Sequence, residues 1–317
     1  MKKLYYILAI CLLVVVPAYG QGGPGVGPAP GVALQDEGVA KGRVQILNCT
    51  GAGIVCSKSG VTGAVTVPIT DLKAIYGLTY ANSAGDVVND LDIAAGGAID
   101  STGVRLLVGA ASTKQSDVGW AVGTNAGCLD IGAVANADYY LFIIVRSDTS
   151  VVDYLCSLSA TAPTMPANYD FKRLIGWYKI LAATVVLFTT YETEGGGLEL
   201  LWNTPTLDID LANTLTTARR TDAVKVPLNF SVIAQLNMAL DDNTALFNMI
   251  IYCPDMADIV PSGTVAPLSN GRTYVIGQVD LRQISVRTNA TGLVASRATI
   301  TVDRIRVSTL GFIWSRR

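Results

Sequence analysis

The chain has 317 residues, 50% of them hydrophobic, and a formal charge of −2 from 23 basic and 25 acidic side chains. It carries no basic block, so nucleic acid is excluded as an expected partner. Histidine is absent, which removes Ser-His-Asp and Cys-His nucleophilic sites, imidazole acid–base chemistry and the usual zinc sites.

Met1-Lys2-Lys3 is a basic start, Leu4–Val16 an apolar run too short for a comfortable membrane span, and Pro17-Ala18-Tyr19-Gly20 ends in a small-residue cleavage site. That layout predicts a secretory signal peptide over 1–20 and an exported protein with no stable membrane span after cleavage. Beyond it lie Cys49, Cys56, Cys128, Cys156 and Cys253, an odd number with no C-x-x-C pair. Cys49 and Cys56 flank a Gly-rich turn and are the one local pairing on offer. The favoured expectation is that every cysteine is a small buried hydrophobe with a free thiol.

Residues 21–40 are Gly/Pro-rich and read as a flexible linker. Over 41–70, short β-prone runs at Val44–Cys49, Ile54–Ser57 and Ala64–Val67 predict a small β-meander. From residue 71 to 317 strand signals recur with turn signals between them, and no long helical period competes. Tyr139–Val145 is apolar throughout, as in a strand buried on both faces, and pairs as a hairpin with Val151–Ser159. Leu174–Tyr178 and Ile180–Phe188 continue the pattern. Thr206–Asp222 reads as a long connection or an edge strand, with two subdomains split near 200–222 as an option. Val232, Ala234, Leu236, Met238 and Leu240 form an alternating apolar face, and Phe247–Cys253 another buried strand. Arg282–Thr288 and Leu293–Thr299 are expected to form a final hairpin, and Arg304–Phe312 closes the chain. The fold class is therefore all-β, an antiparallel β-sandwich or jelly roll, preceded by the meander and the linker. A membrane barrel is disfavoured because several strands are apolar on both faces.

Within Asn89–Trp177, several spaced features occur in order: Asp92-Ile93-Ala94-Ala95-Gly96, Lys114 with Asp117, and Trp120-Ala121-Val122-Gly123-Thr124. Gly127 with Leu129-Asp130, Arg146-Ser147-Asp148-Thr149 and Val151-Val152-Asp153 follow, then Ser159-Ala160-Thr161-Ala162-Pro163, Pro166, Tyr169 and Arg173 before Ile175-Gly176. This segment resembles tail-fibre and other virion-surface proteins of tailed bacteriophages. Leu34-Gln35-Asp36-Glu37-Gly38 upstream and Thr309-Leu310-Gly311-Phe312-Ile313 downstream fit the same likeness. The resemblance implies a structural or receptor-facing virion protein, usually trimeric, whose partners are its own copies, other virion proteins or a host-surface glycan. It brings no catalytic residues and no cofactor.

The residues themselves offer few sites. Glu192 and Glu194 share a strand face, but Gly195-Gly196-Gly197 after them marks a solvated turn rather than a glycosidase cleft. Asp86, Asn89, Asp90 and Asp92 are rich in oxygen but lack EF-hand spacing and suit turn and capping roles better than calcium. Ser157, Ser159 and Lys172 lack the spacing of a Ser-Lys nucleophile. Asn48, Asn229 and Asn289 open sequons of the kind expected by chance at this length. Trp202, beside Asn203-Thr204-Pro205, is the tryptophan expected at the surface, and Tyr169 and Lys172 sit on a Pro-rich corner between strands. Tyr169, Lys172 and Trp202 are thus the candidate surface contacts, with no catalytic, cofactor-binding or metal-binding residue assigned. The expectation is a non-enzymatic fibre or virion-surface module. A secreted carbohydrate-binding adhesin is the alternative, and a glycosidase ranks last.

Overall fold

The structure, a computed structural model, describes residues 32–36, 39–44, 55–59, 62–66, 75–241, 247–264, 271–272 and 279–316. The chain separates into two compact units, Met1–Thr70 and Asp71–Arg317. In the first, β1 (Val32–Asp36) pairs antiparallel with β2 (Val39–Val44), and β3 (Val55–Ser59) with β4 (Thr62–Thr66). Pairing thus begins inside the stretch read as linker. The leader at 1–20, Cys49 and the side chain of Cys56 lie outside the described residues.

In the second unit the strands from β5 (Ile75–Gly77) to β15 (Thr184–Val185) build two sheets. Between them come β6 (Tyr80–Asn82), β7 (Asp90–Ile93), β8 (Gly96–Ile99), β9 (Leu106–Gly109) and β10 (Ser112–Gly119). Next are β11 (Ala126–Leu129), β12 (Asp138–Arg146), β13 (Val152–Ser157) and β14 (Tyr169–Leu181). One sheet has eight strands in the order β15-β14-β12-β13-β11-β10-β7-β6, and the other has three in the order β5-β8-β9. The C-terminal half adds β16 (Phe188–Thr193), β17 (Gly197–Leu215), β18 (Arg220–Ala223), β19 (Ile233–Asp241) and β20 (Asn248–Tyr252). It ends with β21 (Gly271–Arg272), β22 (Asp280–Arg287), β23 (Leu293–Ala298) and β24 (Val302–Trp314). These form a five-stranded sheet, β16-β17-β24-β19-β22, and a four-stranded one, β18-β23-β20-β21. The architecture is all-β and sandwich-like. Among the described residues no helix is long and apolar enough to cross a membrane.

The sequence periods explain the layers. β12 is buried along its length except at its ends, because both of its faces are covered. Ile143 and its partner Tyr154 face the three-stranded sheet, where the Tyr154 hydroxyl donates to Ala110 O at 2.9 Å. Tyr140 and its partner Trp177 face the other way, toward the five-stranded sheet. Trp177 is fully buried there, with its ring edge-on to Trp202 at 5.7 Å and to Phe312 at 5.5 Å. Gly176 beside it has no room for a Cβ, since the Tyr80 ring occupies that space. The Tyr80 hydroxyl then donates to Trp177 O at 2.6 Å and accepts from Trp177 N at 2.7 Å. The alternating face of β19 (Ala234, Leu236, Met238, Leu240) is buried as its period requires. Met238 and Leu240 abut Gly271 of the four-stranded sheet.

Several expectations are corrected. The large sheet is mixed, since β11 runs parallel to both β10 and β13. The last two strands of the expected hairpin are split: β22 pairs with β19, whereas β23 pairs with β18 and β20. The turn between them exists, with Gly292 N donating to Asn289 O at 3.1 Å, but it carries the chain from one layer to the other. Thr206–Leu215 is no loose connection. It is the second half of β17, hydrogen-bonded to β24, and matches the edge-strand option, since among the described residues its other side has no ladder partner beyond Trp202, where the pairing with β16 stops. Finally, the cysteines are not all free. Cys128 of β11 and Cys156 of β13 form a disulfide with a Cα–Cα distance of 5.0 Å. Leu129, the neighbour of Cys128, pairs with Cys156 across these strands, and the Cα separation is one that a disulfide spans. Among the described residues Cys253 is free.

Candidate functional site: a buried lysine–aspartate node and the surfaces around it

β10 and β11 are consecutive, adjacent and parallel. Such a pair normally needs a crossover of about a dozen residues or more. Here the return is only 120–125. The loop folds back along β10 so that Ala126 restarts opposite Lys114, and its backbone groups need partners away from the ladder. Some are backbone: Trp120 N donates to Leu129 O at 2.8 Å, Ala121 N to Gly127 O at 3.1 Å and Asn125 N to Thr113 O at 2.8 Å. Gly123 and Asn125 turn the chain with φ of 102° and 56°, conformations suited to Gly and tolerated by Asn.

Lys114 supplies the rest. Its ammonium donates to Ala121 O at 2.8 Å and Gly123 O at 3.0 Å, and it meets Asp153 Oδ1 at 3.1 Å. The Asp153 carboxylate also accepts from Gly123 N at 2.9 Å and from Tyr154 N at 2.7 Å. Lys114 is fully buried and Asp153 is 3% exposed. Burial pulls the lysine pKa down from its ordinary value, opposed by the charge of Asp153. Three acceptors use all three ammonium protons, so the pair is saturated. Trp120 seals it: its indole N–H donates to Tyr154 O at 3.0 Å, its ring centroid lies 5.9 Å from Lys114 Nζ, and it makes a T-shaped contact with the Tyr169 ring at 5.1 Å between centroids. A saturated, sealed ion pair is poor equipment for a nucleophile or a general base. It is good equipment for fixing a loop.

The corner at 159–177 is held in the same way. Thr164 N donates to Asp130 Oδ2 at 2.8 Å, and Tyr169 N to Pro166 O at 3.1 Å. Tyr169, expected at the surface, is 4% exposed because it opens β14 and packs on Trp120. Trp202, also expected outside, is 4% exposed. Its indole N–H donates to Lys225 O at 3.2 Å, and Lys225 Nζ caps its ring at 4.4 Å, so the polar residues after it mark a register shift within β17 rather than a solvated ring. Trp120 keeps more exposure than the other tryptophans. Lys172 stays half-buried, donating to Thr161 O at 3.0 Å, and burial lowers its pKa. It lines a shallow groove of about 340 Å³ with Ser101, Thr161, Arg173, Trp314 and Arg316. The three expected contacts are therefore not brought together, and Lys172 alone reaches a surface.

The remaining candidates serve the fold. Glu192 Oε1 accepts from Gly77 N at 2.9 Å, while Glu194 opens a short 3-10 turn, so the two do not face each other across a cleft. Ser157 and Ser159 hydroxyls accept from Ser159 N and Ala162 N, both at 3.0 Å. Asp86 caps the turn at Val88 and Asn89, and Asp92 accepts from the Thr113 hydroxyl at 2.6 Å. Burial, then the charges of Asp86, Asp117 and Asp92, push the Asp90 carboxyl up. Among the described residues no group of three or more acidic or thiol ligands is placed to hold a metal ion. Asn229 donates to the Tyr140 hydroxyl at 2.8 Å, and Asn289 closes its turn by accepting from Thr291 and Leu293.

Sequence reasoning missed two anchors. One is the pairing of Lys114 with Asp153, residues that the likeness names separately but that no sequence spacing links. The other is Arg316, whose guanidinium is buried and donates to Gly196 O at 2.8 Å, Leu78 O at 3.1 Å and Gly77 O at 3.0 Å. It ties the C-terminal strand to the start of the second unit.

No protein-family model and no curated protein matches the chain. Among solved structures, a tryptic core variant of Bacillus thuringiensis Cry1Da is 9% identical in an alignment covering 75% of this chain and 51% of that one, with a TM-score of 0.15. The chain thus spans about half the length of that structure, and a likeness at this level carries no argument about fold or function.

Proposed function

We propose that the chain is a non-enzymatic structural or receptor-facing module of a phage-like fibre or virion surface, exported and assembled as a homotrimer. One observation carries this reading. Lys114, Trp120, Gly123 and Asp153, all from the stretch that carries the fibre likeness, meet at the node and fix a tight parallel return, and Tyr169 packs on Trp120. Side chains that hold backbone in this way suit a structural module and leave recognition to other surfaces. The Cys128–Cys156 disulfide supports an oxidising location.

Light scattering of the mature chain at micromolar concentration tests the assembly: a trimer is expected, and a clean monomer overturns the fibre reading. Hydrolysis of a polysaccharide that disappears in Glu192→Gln overturns the non-enzymatic part. The second reading, a secreted carbohydrate-binding adhesin, rests on the amides of Asn237 and Gln283 and on Gln235, whose Nε2 donates to Glu199 Oε1 at 2.6 Å. They share one sheet face with Tyr191, which is 52% exposed. A glycan array separates the two, with strong binding by a monomer favouring the adhesin.

A further inference from the structure

The buried face of the five-stranded sheet packs against two other sheets. Its opposite face packs on nothing among the described residues. The strand registers lay that face out in rows across β17, β24, β19 and β22. Leu201, Gln235 and Ser285 lie in one row, and Leu207, Ser308, Asn237 and Gln283 in the next. These central rows hold no charged side chain. Leu207 is 52% exposed, and Leu281, one row further on, is 74% exposed. Leu207, Asn237, Leu281 and Gln283 line a shallow groove of about 360 Å³, with Arg282 and Arg306 also in its lining.

The charges sit at the ends of the strands. Glu199 and Arg287 lie beside Ile313 and Ile233 at one end. At the other, Asp210 pairs with Arg304 at 2.8 Å and with Arg306 at 3.9 Å, and Asp241 lies opposite Arg304. Glu199, Asp210 and Asp241 stand against Arg287, Arg304 and Arg306, and Arg282 beside the groove is paired with Asp280 at 2.9 Å, so the signs balance. Lysine is missing from all these positions. A solvated sheet face normally carries charges throughout. An uncharged centre with exposed leucines, arginine in place of lysine and a mixed-sign rim is the anatomy of a protein interface.

The charge balance selects the occupant. A strongly acidic or basic partner would meet attraction and repulsion in equal measure. A second copy brings the same two signs, so that Arg and carboxylate groups at the rims can meet across a rotation axis. β22 adds to this, since it is the outer strand of the sheet and has β19 as its neighbour on one side only among the described residues.

We propose that the outer face of the five-stranded sheet is the self-association surface of this chain and that its occupant is a second copy. The inference rests on the oligomeric part of the proposed function and names the surface responsible. Asn237 and Gln283 are exposed, so a charge at either position is compatible with folding but is buried against its own kind in the assembly. Sedimentation and light scattering of the mature full chain are compared with Asn237→Arg, Gln283→Arg and, as a control on an exposed loop, Ile131→Arg, with folding checked by circular dichroism. The expected result is an oligomer for the parent and Ile131→Arg, and association weakened by at least about 100-fold in Asn237→Arg and Gln283→Arg. A monomeric parent overturns this inference together with the oligomeric reading. An oligomer unchanged in both charge variants overturns the surface alone, as does equal dissociation by Ile131→Arg. Unchanged assembly with lost glycan binding assigns the face to a sugar instead.

Discussion

Lys114 and Asp153 are charged and buried, whereas Asn237 and Gln283 are uncharged and exposed. The first pair lies in the eight-stranded sheet, in the stretch that carries the fibre likeness. The second lies on a sheet face with no covering layer among the described residues. The difference shows where each region's polar groups find partners. At the node, every proton of the ammonium has an acceptor within the chain, so the region is complete by itself. On the five-stranded sheet, the backbones of the central strands β24 and β19 are paired on both sides, and the outer-face side chains point away without a strong field of either sign. A sealed region stabilises, and an open neutral one is suited to contact.

The largest way to break the contrast is to unseal the node. Asp153→Ala leaves a buried ammonium with two carbonyls and no counter-charge, and is expected to cost about 3–5 kcal/mol in urea unfolding. Lys114→Met with Asp153→Leu should recover much of that loss. If Asp153→Ala alone is neutral, the pair does not hold the 120–125 return.

Next comes the disulfide, which closes a loop with a sequence separation of 28. Chain entropy puts its contribution at about 3–4 kcal/mol as an upper value, which lowers the thermal midpoint by roughly 2–4 °C per kcal/mol lost in a domain of this size. A calorimetric scan of Cys128→Ala/Cys156→Ala reads this, and an unchanged midpoint would mean that the bridge is idle.

The smallest effect sharpens the contrast from the solvent side. Arg146 pairs with Asp148 in the turn between β12 and β13 at 2.6 Å and holds its carboxyl down at about 2. A depressed folded-state pKa contributes stability above the unfolded carboxyl value, about 3.9, and loses it as pH falls toward 2. Both groups are solvated, so Asp148→Asn should barely move the midpoint at neutral pH. It should flatten its fall below about pH 4 slightly, as read by thermal scans across pH. A large loss at pH 7 would mean that the turn is not the solvated hairpin end seen here.

Much of the fold was legible in the residues. Tyr139–Val145 announced a doubly buried strand, and the alternation through Ala234–Leu240 announced one buried face. Both are local periods, and burial obeys them directly. The Asn289–Gly292 turn was also legible, but not its destination, because one turn chemistry serves a hairpin or a crossing between layers. The candidate contacts were less legible. Trp202 and Tyr169 stand beside polar or Pro-rich residues, yet rings from distant parts of the chain, Trp177 and Trp120, enclose them.

What the amino-acid order determined by itself was the element type, the inward face of each regular strand and the absence of imidazole chemistry, since all three depend on residue identity and short spacing. Only the tertiary structure decided that Cys128 finds Cys156, that Lys114 finds Asp153 and that β22 and β23 part company. Those pairings join residues far apart in the chain, and their energy exists only once separate strands have been brought side by side.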